Sequence, residues 1–209
     1  SPDRKQVLAV NGEIYNHLEV RRRLDIEFHT TSDTETILEG FAHIGEKIFE
    51  LLDGMFALVI LDSETGRWVA ARDAFGIKPL FIGVGNGATV LGSEASVVAG
   101  LVDAMPCHLA IEEWRLIRRP LPGASFFRGV HEVMPGSYRR SDGTTMSFWV
   151  PAPSDRPYEQ EVFESLIRQT IVEHELSDVQ NVSLLSGGLD SAVITALSSV
   201  PRSYCVGLP

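Results

Sequence analysis

The heptapeptide Met55-Phe-Ala-Leu-Val-Ile-Leu61 decides the fold of the first part of the chain. An almost continuous apolar run of this length is typical of a strand that is buried on both faces. The turn Asp62-Ser-Glu-Thr-Gly66 follows it, and Trp68 to Ala71 returns as the partner strand. We therefore predict an antiparallel strand pair that is covered on both sides.

Helices precede this pair, and further short strands follow it. Ser32-Asp-Thr-Glu35 is a capping box that opens a helix, and this helix ends near Gly45. An arginine-rich helix is predicted before it, up to about Leu24. Short strands are expected at 7–10, 80–83 and 89–91, and residues 100–150 are expected to be rich in loops. Helices followed by antiparallel strands predict an α+β layered sandwich.

The chain changes character near residue 150. Pro151-Ala-Pro-Ser-Asp-Arg-Pro157 has the composition of an extended linker. After a long amphipathic helix (158–176), a strand (182–185), a helix (192–200) and a strand (204–206) form a βαβ unit, which requires a parallel sheet. We therefore divide the chain into a domain of residues 1–150 and the beginning of an α/β domain, residues 151–209.

Composition excludes several classes of function. Lys and Arg total 18 against 28 Asp and Glu, and a net charge of -10 argues against a nucleic-acid partner. We expect Arg21 to Arg23 to form a solvated helix face. Cys107 and Cys205 do not make a disulfide framework, which favours a cytoplasmic setting. No stretch reaches the roughly 18 apolar residues that span a membrane, so we expect no membrane partner.

The hexapeptide Ser186-Gly187-Gly188-Leu189-Asp190-Ser191 is the strongest chemical signal. Two glycines between a strand and a helix let the backbone approach a ligand, and the helix N-terminus attracts anions. The hydroxyls of Ser186 and Ser191 add donors, and Asp190 would hold Mg²⁺ that bridges to phosphate. The alternative interpretation is a plain strand-to-helix turn that uses glycine for its geometry.

A second signal is Asn11-Gly12-Glu13-Ile-Tyr-Asn16. The Asn11 side-chain amide and the Gly12 N–H could stabilise an oxyanion, and Glu13 could hold an ammonium group. From these residues alone, a turn that closes a strand is the competing interpretation.

Both motifs resemble those of a known family. The hexapeptide resembles the PP-loop of the ATP pyrophosphatases. Asn11–Asn16, Ser32-Asp33 and the stretch from Arg72 to Leu80 resemble the Ntn-hydrolase-like glutaminase domain of class II glutamine amidotransferases. A glutaminase followed by a PP-loop domain resembles the glutamine-hydrolysing asparagine synthetase family, over about residues 6 to 209.

The resemblance implies roles for individual residues. Asn11 and Gly12 would form the oxyanion hole, and Glu13 and Asp33 would bind the α-amino group of glutamine. Gly76 and Pro79 would fix a turn. The residues that would contact ATP are Leu185, Ser186, Gly187, Gly188, Asp190, Ser191 and Val206.

The resemblance also implies a reaction. Glutamine would be hydrolysed to ammonia, ATP with Mg²⁺ would adenylate aspartate or a similar carboxylate, and ammonia would displace AMP. A homodimer is consistent with this family. Two alternatives stay open: a related amide or β-lactam synthetase without a working glutaminase, and a catalytically dead binding module.

One departure from the family concerns the nucleophile. Class II amidotransferases use an N-terminal cysteine thiolate, whereas residue 1 is Ser here and Cys107 lies mid-chain without a free amine. The family's second ATP-contacting motif and its catalytic lysine are also not found among these residues. We therefore expect a fragment of a longer protein that has neither activity by itself.

Overall fold

The computed structural model describes residues 5–207, so Ser1, which stands at the start of the chain where the family uses a cysteine, lies outside the described residues. The chain forms two compact units, of which one runs to Pro151 and the other begins at Ala152. Among residues 5–207, no helix combines the length and the apolar character that crossing a bilayer requires.

The first unit contains two antiparallel sheets and their covering helices. Its elements are β1 (Gln6–Ile14), α1 (His17–Leu24), α2 (Asp33–Ile44), a 3₁₀ helix (Gly45–Glu50), β2 (Gly54–Asp62), β3 (Trp68–Arg72), β4 (Phe81–Gly85), β5 (Ala88–Gly92), α3 (Ala95–Leu101), α4 (His108–Ile117), β6 (Val130–Glu132), β7 (Ser137–Arg140) and β8 (Thr145–Ser147). The larger sheet has the strand order β1-β2-β3-β7-β8, and the smaller sheet has the order β5-β4-β6. The predicted antiparallel pair is confirmed as β2 and β3, in which Val59 faces Ala70.

Strand β2 is shared by two hydrophobic cores because successive side chains point to opposite faces of a sheet. Leu58 and its even-numbered neighbours pack with helices α1 and α2. Ala57 and Val59 point the other way and pack with Ile82 of β4 and Val133. A third core joins the outer face of the smaller sheet to α3. The first unit is therefore layered as helix, sheet, sheet, helix.

The interval 100–150 is more regular than its composition indicated. It contains α4 and strands β6, β7 and β8. β7 pairs with β3, which lies far upstream, and β6 pairs with β4. These strands have three or four residues each, too few to show a period-2 pattern, so their pairing depends on partners distant in the sequence.

The second unit contains a short βαβ arrangement after a long helix. Its elements are α5 (Gln160–His174), β9 (Ser183–Leu184), α6 (Leu189–Leu197) and β10 (Ser203–Tyr204). β9 and β10 are parallel, as the pattern predicted. Helix α6 begins at Leu189, three residues earlier than expected, so Asp190 and Ser191 lie in its first turn rather than in a loop.

Candidate functional site

The motif that begins at Asn11 is the end of a strand and not a turn, which corrects the interpretation from residues alone. β1 continues to Ile14, with Asn11 opposite Ala57 and Gly12 opposite Phe56. Pairing with β2 along its whole length overrides the local preference of Asn and Gly for turns. Among residues 5–207, no strand pairs with the other edge of β1.

Gly12 is required by the backbone. Its φ is +151°, and an added Cβ would lie 2.0 Å from the Met55 carbonyl oxygen and 2.6 Å from the Phe56 Cα. Any side chain would push β1 away from β2, because these obstructing atoms are backbone and cannot rotate aside.

The Gly12 N–H points away from β2. The Phe56 N–H donates to Asp73 Oδ2 at 3.2 Å, and the Asp73 N–H donates to the Phe56 carbonyl oxygen at 2.8 Å. Gly12 and Phe56 are therefore a non-hydrogen-bonded antiparallel pair, whose polar groups point outward. Ile14, two residues on, donates its N–H outward at 3.0 Å to Asp33 Oδ2, as this alternation requires.

That hydrogen bond places Asp33 beside the strand that carries three other predicted site residues. It joins Asp33, the first residue of α2, to the strand that carries Asn11, Gly12 and Glu13. The Asn11 Nδ2 lies 3.5 Å from Ser93 Oγ. Outward donors beside two carboxylates suit a ligand with a polarised carbonyl and an ammonium group.

Arg21 supports the Asp33 loop, which corrects its assignment to a solvated face. Its side chain is only 13% exposed. Arg21 Nε donates to Thr36 Oγ1 at 2.7 Å, and its guanidinium also donates to the carbonyl oxygens of Thr30 and Ser32. The guanidinium carbon lies 4.4 Å from the centre of the Phe28 ring.

Glu35 replaces the expected capping bonds with contacts to the preceding loop. Ser32 is the N-cap residue of α2 but makes no side-chain capping bond. Instead, Glu35 accepts hydrogen bonds from the backbone N–H groups of His29 and Thr30 and from Thr30 Oγ1. Burial alone would raise the pKa of the Glu35 carboxyl, but these bonds and the Arg21 charge outweigh it and lower the pKa to about 2.

Asn16 and Tyr15 fix the chain after β1. Asn16 Nδ2 donates to the Leu51 carbonyl at 2.8 Å, and its Oδ1 accepts the Asp53 N–H at 2.9 Å. Burial raises the pKa of the Tyr15 phenol, and the charges of Glu13, Asp53 and Asp73 add to it. Burial lowers the pKa of the nearby His17, where the Asp33 charge opposes the shift and the Arg21 charge adds to it.

The turn after β3 is held by two buried charged residues. Asp73 is 1% exposed. In addition to the Phe56 N–H, its carboxylate accepts the N–H groups of Phe75, Ile77 and Lys78. The Arg72 guanidinium donates to the carbonyls of Gly76, Lys78 and Val133 and to Glu132 Oε1. Gly76 has φ +65°, in keeping with the turn expected there.

The loop 186–191 makes hydrogen bonds within itself. The hydroxyls of Ser186 and Ser191 lie 2.9 Å apart, and Ser191 Oγ also accepts the Ser186 N–H and donates to the Gly188 carbonyl. Gly187 has φ +84°, and nothing lies within 4 Å of the position its Cβ would take. The first turn of α6 is left open to solvent, which suits an anion.

The other predicted ATP residues lie around this loop. Leu185 follows β9 and donates its N–H to the Tyr204 carbonyl, and Val206 follows β10 and is 92% exposed. Both thus lie beyond the carboxyl ends of two parallel strands, where open α/β sheets bind ligands. Asp190 is exposed, and among residues 5–207 no three acidic, His or Cys side chains are grouped for a metal. A single carboxylate suits Mg²⁺ only when phosphate oxygens complete its shell.

Comparison with known proteins shows the family to which this chain belongs. Residues 1–150 match the family model described as glutamine amidotransferase domain. The chain is 37% identical to an asparagine synthetase [glutamine-hydrolyzing] of Asparagus officinalis over 99% of its length, and 34% identical to one of Triphysaria versicolor over 99%. It spans about a third of the length of these relatives, 34% and 35%. The family resemblance seen in the motifs is confirmed.

A solved structure shows the same fold. Glutamine phosphoribosylpyrophosphate amidotransferase from B. subtilis aligns with a TM-score of 0.50 and 19% identity, over 96% of this chain and 45% of that one. At this identity, the likeness concerns the fold alone.

Proposed function

Because the chain belongs to the glutamine amidotransferase domain family, we propose that the free edge of β1 binds glutamine for amide synthesis by a longer protein. The observation that carries this proposal is the Ile14–Asp33 hydrogen bond of 3.0 Å. It places a carboxylate on the edge to which the Gly12 N–H also points.

Each residue has a chemical task in this proposal. The Gly12 N–H and the Asn11 amide stabilise the oxyanion that forms when the glutamine amide carbon is attacked. Glu13 and Asp33 bind the α-ammonium group, as carboxylates paired with a cation. The family resemblance assigns the attack to an N-terminal cysteine thiolate, and Cys107, at the start of α4, has no such position.

We assign ATP to the loop 186–191. The N-terminus of α6 and the hydroxyls of Ser186 and Ser191 would bind its phosphates, Leu185 and Val206 would contact the nucleoside, and Asp190 would hold Mg²⁺ that neutralises phosphate charge. The reaction is the activation of aspartate or a similar carboxylate as an acyl-adenylate with release of pyrophosphate. Ammonia from glutamine then forms the amide and releases AMP, in a cytoplasmic enzyme.

Titration with L-glutamine tests the first site in this chain by calorimetry. Asp33→Asn keeps an oxygen that can accept the Ile14 N–H but removes the charge, and should weaken binding about tenfold or more. Asp25→Asn is the matched control, since Asp25 is exposed and its left-handed φ of 51° suits Asn. Equal affinities in both variants, or no saturable binding by the unsubstituted chain, would contradict the proposal.

Hydrogen exchange tests the second site. ATP with Mg²⁺ should protect peptides that span residues 186–191, and Asp190→Asn should remove the dependence on Mg²⁺. Asp178→Asn, an exposed carboxylate of the same unit, should leave it unchanged. Failure of ATP to protect a folded chain would favour a binding module without synthetase chemistry.

A further inference from the structure

A cavity of about 190 Å³ lies in the first unit beside strands β6, β7 and β8. Its lining includes Gly123, His131, Met134, Arg139 and Thr145. The residues of the proposed glutamine and ATP sites take no part in it.

Arg139 enters this cavity without a partner. Its Nε is buried, and within the described range 5–207 it has no hydrogen-bond acceptor. The neighbouring arginines differ: Arg140 Nε donates to Glu46 at 2.8 Å, and Arg72 has four acceptors. Leaving a buried N–H of a charged group without an acceptor costs the desolvation of that group, so an acceptor from a bound ligand would be stabilising here.

The nearby carboxylate does not supply that acceptor. Glu132 also lines the cavity, but its Oε1 accepts from Arg72 Nη1 at 2.6 Å. Among residues 5–207 the Arg139 Nε–H therefore has no acceptor, and Thr145 lies beside Arg139 because the two are opposite each other in the β7–β8 pairing.

The size and position of the cavity limit the class of ligand that it can bind. A cavity of about 190 Å³ is below the roughly 300–1,000 Å³ of typical pockets for drug-sized ligands, so a nucleotide does not fit. β7 is three strands from β1 in the sheet, about 14 Å at the usual strand spacing. Across the sheet, Arg139 is opposite Ala70, which is opposite Val59. Asn11 is opposite Ala57 instead, two residues from Val59 along β2. This cavity is distinct from the free edge of β1.

We propose that this cavity binds a small oxyanion, a phosphate or a carboxylate, through the guanidinium of Arg139. The planar fork of arginine matches the two oxygens of a carboxylate or two oxygens of a phosphate, and the Thr145 hydroxyl donates to one of these or to a third oxygen of phosphate. The segment between β6 and β7 is bonded to Arg72 through the Val133 carbonyl and to Asp73 through the Gly136 N–H, so a bound anion would stabilise the first unit.

Calorimetric titration of the 209-residue chain tests this proposal, with inorganic phosphate and acetate as separate probes at constant ionic strength. We expect saturable binding of at least one probe in the millimolar range or tighter. Arg139→Gln should weaken it about tenfold or more. Arg128→Gln, which removes the same charge from an exposed position, should not. The probe that binds more tightly identifies the anion class.

Two results would overturn the proposal. One is no saturable binding of either probe, which would mean that water alone fills the cavity. The other is equal affinity in Arg139→Gln and the unsubstituted chain, which would mean that the anion binds elsewhere. If Arg139→Gln does not fold, Thr145→Val replaces it: weaker binding supports the site, and unchanged affinity overturns it.

Discussion

The two candidate sites are held in opposite ways. The end of β1 depends on contacts between residues 17 to 37 apart in sequence, through Asp33, Asn16 and the Phe56–Asp73 pair. Within residues 5–207, the hydrogen bonds of the Ser186 and Ser191 hydroxyls stay inside the loop 186–191, over separations of at most 5 residues. The first site is therefore a product of tertiary packing, and the second is encoded locally. This difference predicts that substitutions at the first site change global stability, whereas those at the second change ligand binding.

The largest expected effect is that of Asp73→Ala. It strands four backbone N–H groups that the Asp73 carboxylate accepts, so the first unit should lose about 4 kcal/mol of unfolding free energy. Urea unfolding followed by tryptophan fluorescence reports this unit, because all three tryptophans precede Pro151. Glu64→Ala, an exposed control, should lose less than about 1 kcal/mol. Similar losses of unfolding free energy in Asp73→Ala and Glu64→Ala would contradict the proposed dependence of the first site on tertiary packing.

Gly12→Ala and Gly187→Ala form a direct pair across the two regions. At Gly12, a positive φ and a backbone clash act together, and we expect a loss of about 3 kcal/mol in the same urea experiment. At Gly187 only the φ of +84° is unfavourable, and the loss should be about 1 kcal/mol, measured by hydrogen exchange of the second unit. A larger loss at Gly187 would contradict the local nature of its loop.

Acid should destabilise the first unit through Glu35. The pKa of its carboxyl is about 2 in the folded chain and about 4.5 in the reference state. Its contribution is therefore present above about pH 4.5 and is lost as pH falls toward 2. We expect the free energy of unfolding to fall by about 1–2 kcal/mol between pH 6 and pH 3. Urea midpoints at the two pH values measure this loss, and Glu35→Gln should flatten the dependence. An unchanged pH slope in that variant would exclude the Glu35 carboxyl as the source of the dependence.

The smallest effect on stability is expected for Ser191→Ala. Its hydroxyl contacts are exposed, so their loss should cost less than about 1 kcal/mol. Protection of the loop by ATP with Mg²⁺ should nevertheless fall. Thr195→Ala in the same helix, whose hydroxyl bonds Ser183 rather than the loop, is the control and should keep this protection. If Ser191→Ala lowered stability but kept protection by ATP with Mg²⁺, the proposed difference between the two sites would be wrong.

The same contrast explains what the sequence could predict. The strand pair around Leu58 and the strand-loop-helix at 186–191 depend on neighbours in the chain, and both were predicted with boundary errors of a few residues. Family resemblance grouped Asn11 with Asp33, but the residues alone favoured a turn at Asn11, because its strand partner Ala57 lies far along the chain.

Long-range partners account for what was missed. Arg21 sits in a run of three arginines, and its burial arises from the carbonyls of Thr30 and Ser32, which local charge patterns do not reveal. The pairing of Asn16 with the chain at residues 51–53 has no sequence signature either. The orphaned Nε of Arg139 becomes visible only when β7 and β8 are paired.

Strand β2 has a kinetic consequence, because its alternating side chains enter both the helix-covered core and the core between the sheets. Neither core can open while the other keeps β2 in place. The backbone amides of β2 should therefore exchange with deuterium only through complete unfolding of the first unit, more slowly than those of the short strands β6 and β8. The four layers would then behave as a single cooperative folding unit, whose slowest-opening element is the strand that begins with Gly54 and Met55.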